Sequence, residues 1–367
     1  MSPSVIREKA ECGIVLTPGD LEINMRKLRN VLYITNPNSY LSRDGESVTV
    51  RVDQKEVGRI PIHNLEGIVC FGYMGASPAL MELCHNHDVG ISFVSPYGKY
   101  MARVGGKVSG NVLLRKKQYA VSDDAEESAK FAKNFILGKL LNCRSVLLRF
   151  SRDYPTAVDS AFRDQLNSLS DGILELRDND LPLNELRGME GMLSKYYFSC
   201  FDDLILSRDP VFSFQGRSRR PPLDPMNALL SFSYTLIAAD CASALESVGL
   251  DPQVGFLHRL RPGRPSLALD LMEEFRPYLG DRFVVSLVNN RVVKAGDFVM
   301  KENGAVLLTD SARKTILHAW QKRKQEEIMH PFLEEKVPLG LLPYAQAMLL
   351  ARCLRGDLDG YPPFLMR

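Results

Sequence analysis

The sequence predicts an α+β fold, with a small amino-terminal β-sheet domain followed by a larger, mainly α-helical domain that carries the chemistry. Three observations lead there. Short β-type runs separated by turn residues fill the stretch from Leu28 to Leu114. Beyond Asp123 the apolar residues recur at helical spacing. The chain also has 367 residues, 45% of them hydrophobic, enough to bury a large core and to form two domains rather than one.

In chain order, residues 1–24 precede Met25 and are set aside as an extension of uncertain origin. A β-rich domain is expected over 25–115. Its strands are Asn30–Thr35, Ser47–Val52, Gly67–Phe71 and Gly90–Val94, with Asp44-Gly45 and Pro96-Tyr-Gly98 as turns and one helix over Ser77–His87. The helical domain, 116–367, begins in earnest after Asp123 with an apolar face through Phe131, Phe135, Ile136 and Leu140. A connection from Asp209 to Asp224, rich in arginine, proline and serine, reads as a mobile loop that proline stiffens and that orders on a bound partner.

Composition narrows the function classes without choosing one. With 46 basic and 44 acidic residues the formal charge is +2, so any surface for a polyanion must come from local segregation of charge. The seven cysteines, at 12, 70, 84, 143, 200, 241 and 353, are dispersed and form no Cys-x-x-Cys pair. No signal peptide or long apolar span points to export or a membrane, so the expected setting is a reducing cytoplasm. Neither a dinucleotide-binding glycine pattern after a strand nor a phosphate loop occurs in a fitting context, which argues against hydride transfer and nucleotide hydrolysis. Cys84-His85-Asn-His87-Asp88 has metal-binding residue types but lacks a second ligand pair, and its position reads as a helix end turning into a strand.

The chemistry-bearing residues lie in the second half. Glu190 in Arg187-Gly-Met-Glu-Gly191, His258 in Gly255-Phe-Leu-His258, and the acidic cluster Asp270, Glu273 and Glu274 offer one imidazole and several carboxylates. That donor set suits a divalent ion with open positions for a phosphate oxygen and a water, the chemistry of phosphodiesters. Leu267–Phe275 reads as a helix with Leu267, Leu271 and Met272 toward a core and Asp270 and Glu273 sharing another face, three residues apart. Ser266 is the expected N-cap, and Pro262 and Pro265 confine the chain after His258 to a turn. Glu190 comes from a separate helix. The same residues also fit a blander assignment: a solvated glutamate, a core histidine and surface charges on an amphipathic helix. Arg217, Arg219 and Arg220 before a proline pair, and Arg259, Arg261 and Arg264 flanking His258, are the candidate phosphate contacts, because the guanidinium fork donates two hydrogen bonds to one group. Tyr196 and Tyr197 fit either a place near a bound polyanion or the core.

Three stretches carry a resemblance that covers about residues 28–367 in order: Arg217–Phe232, His258–Pro277 and the tail Leu349–Gly356, together with Gly-Met-Glu-Gly around Glu190. They resemble the CRISPR-associated integrase and endonuclease family, the larger of the two core proteins of spacer acquisition. His330-Pro-Phe and Gly340-Leu-Leu-Pro343 are most similar to the type I-C branch. The resemblance implies metal ligands Glu190, His258 and Glu273, with magnesium or manganese as the ion. It implies Asp270 as a supporting acid and leaves Glu274 as a competitor for the third place. It further implies insertion of spacer DNA into a CRISPR array by attack of a 3′-hydroxyl on a repeat phosphodiester. The implied assembly is a homodimer through the β domain, double-stranded DNA, a small ferredoxin-like adaptation partner and an iron–sulfur exonuclease-like partner. A structure-selective nuclease without integration, or a non-catalytic DNA-binding scaffold, is the alternative.

Overall fold

The computed structural model describes residues 30–87, 89–95, 100–104 and 112–366. The extension 1–24, the start at Met25, the turn at Pro96–Gly98 and Asp88 lie outside them.

Strand β1 (Asn30–Ile34) is followed by a hairpin of β2 (Ser39–Asp44) and β3 (Ser47–Val52), turned at Gly45 with φ 56°. Then come β4 (Lys55–Pro61), β5 (Leu65–Phe71) and the short β6 (Gly75–Ala76). Helix α1 (Pro78–Asn86) starts where the Ser77 hydroxyl accepts the Leu80 N–H and Pro78 takes the first helical position. Strands β7 (Gly90–Val94) and β8 (Tyr100–Val104) complete two sheets, ordered β1-β5-β7-β8 and β4-β3-β2-β6. In the first, β1, β5 and β7 are parallel and β8 antiparallel. Leu41, Val48, Ile62, Ile68 and Leu80 form the core of this small domain.

The helical part begins at Val112, ahead of the boundary the sequence pattern gave. Helix α2 (Val112–Asp123) buries Leu114, Gln118 and Val121, and the amide in the middle of that face hides the apolar periodicity. Gln118 is satisfied by the Asp251 and Val254 carbonyls at 2.7 and 2.8 Å. Helix α3 (Ala125–Asp153) is capped by Asp124, which accepts from Glu126 N and Glu127 N. Asp159 caps α4 (Ser160–Asp178), and α5 (Leu183–Ser199) follows. Helix α6 (Pro225–Ser247), capped by Asp224 with Pro225 at its first position, is long and apolar enough to cross a membrane by length and composition. Here it is mostly buried and serves as the central helix of the core, hydrophobic nearly all round.

Helix α7 (Ser266–Glu273) leads through a π-helical stretch, Arg276–Asp281, into α8 (Arg282–Asn289). A hairpin of β9 (Phe298–Met300) and β10 (Val306–Leu308), helix α9 (Asp310–Lys324), a second hairpin of β11 (Glu327–Met329) and β12 (Lys336–Pro338), and α10 (Leu342–Arg355) finish the order. Gly356 ends α10 in the left-handed conformation. The helical part docks on the first sheet. Gln321 donates to the Val31 carbonyl at 2.9 Å, the Phe71 and Phe232 rings lie 5.8 Å apart, and Arg103 pairs with Glu246 at 2.7 Å.

Past Gly356 the chain returns to the core. Tyr361 and Phe364 are buried, and Asn142 on α3 donates to the carbonyls of both Glu274 and Phe364. Gly138, one turn earlier on α3, is the point of closest approach: a Cβ there would lie 2.8 Å from Pro363 Cβ and 3.1 Å from Glu274 Cγ. The expected mobile loop at 209–224 is anchored at its middle. Asn227 binds Gly216 O, Ser218 N and the Arg217 guanidinium.

Candidate metal centre and nucleic-acid interface

Three elements bring the expected ligands together. Helix α5 carries Glu190, the turn before α7 carries His258, and α7 carries Asp270 and Glu273. The turn is shaped by Asp270, which is fully buried. One of its oxygens, Oδ2, accepts Phe256 N at 2.6 Å and Leu257 N at 2.9 Å; the other, Oδ1, accepts His258 N at 2.9 Å and faces His258 Nδ1 at 2.6 Å. A glycine is needed beside this carboxylate, because a Cβ at Gly255 would lie 2.6 Å from Oδ2 and 2.7 Å from the Ser266 carbonyl carbon. With Nδ1 committed to Asp270, Nε2 is left to face Glu273 Oε1 at 3.8 Å.

Two cations that the sequence reading did not name complete the centre. The ammonium of Lys139, on α3, pairs with Glu190 Oε1 and lies 3.0 Å from Glu273 Oε2. Arg276 pairs with Glu273 Oε1 at 3.2 Å and stacks on the Tyr234 ring. Burial by itself would raise the Glu273 carboxyl, but Arg276, Lys139 and His258 outweigh it and hold the group down at about 2. The same carboxylates keep Lys139 charged: burial pulls its pKa down, and Glu273 and Glu190 more than reverse that. Both cations left a trace in the sequence. Lys139 sits four residues after Phe135 on an apolar helix stripe, where a lysine requires partners, and Arg276 is one turn beyond Glu273.

The donors fit a divalent ion in chemistry. Glu190, His258 Nε2 and Glu273 supply one nitrogen and carboxylate oxygens, and Glu273 Oε2 is buried with no well-directed hydrogen bond despite the nearby ammonium. Among the described residues no three such side chains already surround one point, and Lys139 stands between the two glutamates.

Several expectations need correction. Ser266 is not the N-cap of α7: it is the first helical residue, Pro265 precedes it, and its hydroxyl reaches Arg259 O. Asp270 and Glu273 are buried rather than surface charges. Glu274, the other candidate for the third ligand, has partners of its own. It points to the returning chain, where its carboxylate accepts from Tyr361 OH at 2.6 Å, Phe364 N at 2.7 Å and Gln346 Nε2 at 3.0 Å. Burial drives its pKa up to about 8 against those hydrogen bonds. Tyr197 belongs to the core, donating to Asp281 Oδ2 at 3.0 Å, while Tyr196 is half-buried. Of the Cys84–Asp88 run, within the described residues, Cys84 is buried and His87 pairs with Glu46 at 2.9 Å.

The arginines divide. Arg219, Arg220, Arg259 and Arg261 are exposed and Arg264 is half-buried. Arg217 is instead held inside, donating to Ser218 O and Asn227 Oδ1 and lying 5.2 Å from the Tyr234 ring centroid. Arg187, three residues before Glu190, donates from Nε to Leu257 O at 2.7 Å and so ties α5 to the histidine turn. Burial first, and then the like charges of Arg259 and Arg264, lower the Arg187 pKa; Arg264 is lowered by burial and then by Arg261, with Arg220 and Arg276 adding to it. These groups therefore crowd one side of the centre.

A family model described as "CRISPR associated protein Cas1" matches residues 32–322. A CRISPR-associated endonuclease from Rhodospirillum rubrum is 51% identical, and one from Chlorobaculum tepidum 49%; each alignment covers 94% of this chain and 100% of the relative. A Cas4 exonuclease and Cas1 endonuclease fusion from Geobacter sulfurreducens is 34% identical over 92% of this chain and 60% of the fusion. Among solved structures, a CAS1 protein from Thermotoga maritima aligns with a TM-score of 0.78 at 22% identity, covering 90% of this chain and 99% of that one. A casposase bound to an integration product aligns with 0.79 at 23% identity, covering 93% and 95%. A Cas6-RT-Cas1–Cas2 complex aligns with 0.77 at 20% identity, covering 96% of this chain and 38% of that one. The strand-rich amino-terminal region and mostly helical remainder match the Thermotoga maritima fold, and with half-identical relatives spanning nearly the whole sequence, this chain belongs to the Cas1 family of CRISPR-associated proteins.

Proposed function

We propose that the chain is a metal-dependent DNA integrase and endonuclease that joins spacer DNA to a CRISPR array. The observation that supports the reading is that Glu190 and Glu273, from two helices, both pair with the Lys139 ammonium, while Asp270 fixes the His258 imidazole so that Nε2 faces Glu273. A neighbouring fold is that of a casposase bound to an integration product, and the close relatives are named endonucleases.

Glu190, His258 Nε2 and Glu273 would hold magnesium or manganese, which supplies Lewis-acid polarisation of a phosphodiester. Asp270 keeps the imidazole oriented, and its charge favours the tautomer with the proton on Nδ1. Arg219, Arg220, Arg259, Arg261 and Arg264 would neutralise flanking phosphates, a role suited to clustered guanidinium groups, four of them exposed. In strand transfer the 3′-oxygen of incoming DNA bonds to phosphorus, the P–O bond to the target's 3′-oxygen breaks, and the attacking hydroxyl's proton passes through solvent to the released 3′-oxygen. One phosphodiester replaces another, so the exchange needs no external energy source. Water in place of the hydroxyl gives nicking. No protein nucleophile is required, and the buried cysteines fit that: burial raises the Cys143 and Cys241 thiols well above their ordinary range.

The dimeric β domain, a small ferredoxin-like partner, an iron–sulfur exonuclease-like partner, a cytoplasmic setting and the type I-C-like branch belong to the same proposal. The partners are supported by the Cas1–Cas2 complex and the Cas4 fusion among the similar proteins.

The test is strand transfer of short duplexes with free 3′-hydroxyls into a supercoiled repeat-bearing plasmid, with magnesium or manganese and the small partner. Wild type is compared with Glu190→Ala, His258→Ala and Glu273→Ala. Metal-dependent joining that all three substitutions abolish is the expected result. Nicking without joining would support the plain nuclease, and activity that survives all three would sink the site.

A further inference from the structure

Lys139 is the least expected member of the centre. It projects from the middle of α3, its side chain is 6% exposed, and its ammonium contacts one carboxylate from α5 and one from α7. No contact joins Glu190 to Glu273 directly; the ammonium is what links them, while Ser194 Oγ donates to the same Glu190 oxygen at 3.0 Å. A buried ammonium is stabilised by charged carboxylates beside it, and two carboxylates that share one ammonium would repel each other without it. The second cation, Arg276, contacts Glu273 through the other oxygen and does not reach Glu190 in any ion pair described, so it does not do the same work.

We propose that Lys139 is a tethered counter-ion that holds Glu190 and Glu273 in position before the divalent ion arrives and is displaced from them when it binds. The inference rests on the metal-dependent reading of the site. The two carboxylates are ones that a divalent ion would need, and the ammonium occupies the gap between them. Metal binding is then an exchange of one cation for another rather than the filling of a vacant cage. Lys139 is therefore a positioning residue in the metal-free protein and a competitor of the metal.

The experiment is Mn2+ binding by titration calorimetry, with thermal melts taken with and without Mn2+, on the full chain as wild type, Lys139→Gln and Lys139→Met. Removing a unit charge a few Å from a partly buried site should tighten Mn2+ binding by about tenfold or more. The metal-free variants should melt below wild type, and Mn2+ should raise their melting temperature by more than it raises that of wild type. A residue needed only for packing would lower the melting temperature without tightening Mn2+ binding, and equal or weaker Mn2+ affinity in both variants would overturn the proposal. If a variant fails to fold without metal, recovery of folded protein when Mn2+ is supplied during refolding is expected, and no recovery overturns it. Wild type that binds no Mn2+ at all would instead overturn the metal-dependent reading itself, so the two failures are distinct.

Discussion

Asp270 Oδ1 accepts the His258 backbone N–H at 2.9 Å and faces the ring Nδ1 of the same residue at 2.6 Å, so one oxygen fixes both the backbone and the imidazole of a candidate ligand. An amide at this position keeps the shape but puts an N–H donor where one of the two carboxylate acceptors stood. Asp270→Asn should reduce strand transfer by roughly 10–100-fold, the usual cost of losing a ligand's orienting partner. Comparing metal affinity with activity checks this: unchanged Mn2+ affinity would show that the carboxylate does not act through His258.

His330 gives a pH dependence away from the centre. It is fully buried, its Nδ1 accepts the Phe332 and Leu333 N–H groups at 3.3 and 3.2 Å, and Nε2 therefore donates to Gln346 Oε1 at 3.1 Å. A proton on Nδ1 would confront two N–H donors in a dry site. Burial lowers its pKa to about 4, with the Gln346 bond opposing. Between there and its unfolded value the unfolded chain binds more protons, so this residue's contribution is complete above the unfolded value and is lost as pH falls toward 4. The contribution is on the order of 2–3 kcal/mol. Urea denaturation at pH 7.5 and 5 should show a steeper loss for wild type than for His330→Asn, whose carbonyl retains the acceptor without titrating; equal slopes would refute the assignment.

Gly138 leaves no room for a methyl group. Its added Cβ would fall 2.8 Å from Pro363 and 3.1 Å from Glu274. Gly138→Ala should therefore lower stability by about 1–3 kcal/mol, the range for overpacking, despite alanine's better helix propensity. An urea midpoint equal to or above that of wild type would show that the returning chain yields easily.

The arginines should separate by assay. Arg219→Ala or Arg261→Ala should weaken duplex binding similarly for unrelated sequences and reduce the salt slope by about 1 each, without changing the melting temperature. Arg217→Ala should instead cost about 1–3 kcal/mol of stability, because it strips donors from Asn227 and Ser218 O and removes packing on Tyr234. Fluorescence anisotropy across a salt series, paired with thermal melts, distinguishes the two classes.

Much of this arrangement was legible in the residues. The β runs between Asn30 and Val94 became strands at nearly the expected places because alternating and branched residues leave few other choices. Glu190, His258, Asp270 and Glu273 were visible as types; the structure sets His258 beside Asp270 and Glu273 and links Glu190 to Glu273 through Lys139. What stayed hidden were partners set by tertiary packing. No local signal says that Lys139 lies between Glu190 and Glu273, residues 51 positions away in one case, or that Glu274 turns from its neighbour toward Tyr361. Gln118 concealed α2 for the same reason, since its partners lie 133 and 136 residues downstream. Ser266 matched a capping pattern, but the role of organising that turn fell to Asp270, which reaches back along the chain to Phe256.

The returning segment also sets the order in which the molecule can mature. Glu273 is held in a frame whose other side is Glu274, and Glu274 is satisfied only by Gln346, Tyr361 and Phe364, the last of them 90 residues further on; Asn142 waits 222 residues for its Phe364 carbonyl. A chain emerging from the ribosome therefore carries Glu274 and Asn142 long before their partners exist, and the frame beside Glu273 closes only once residue 364 has been made and docked.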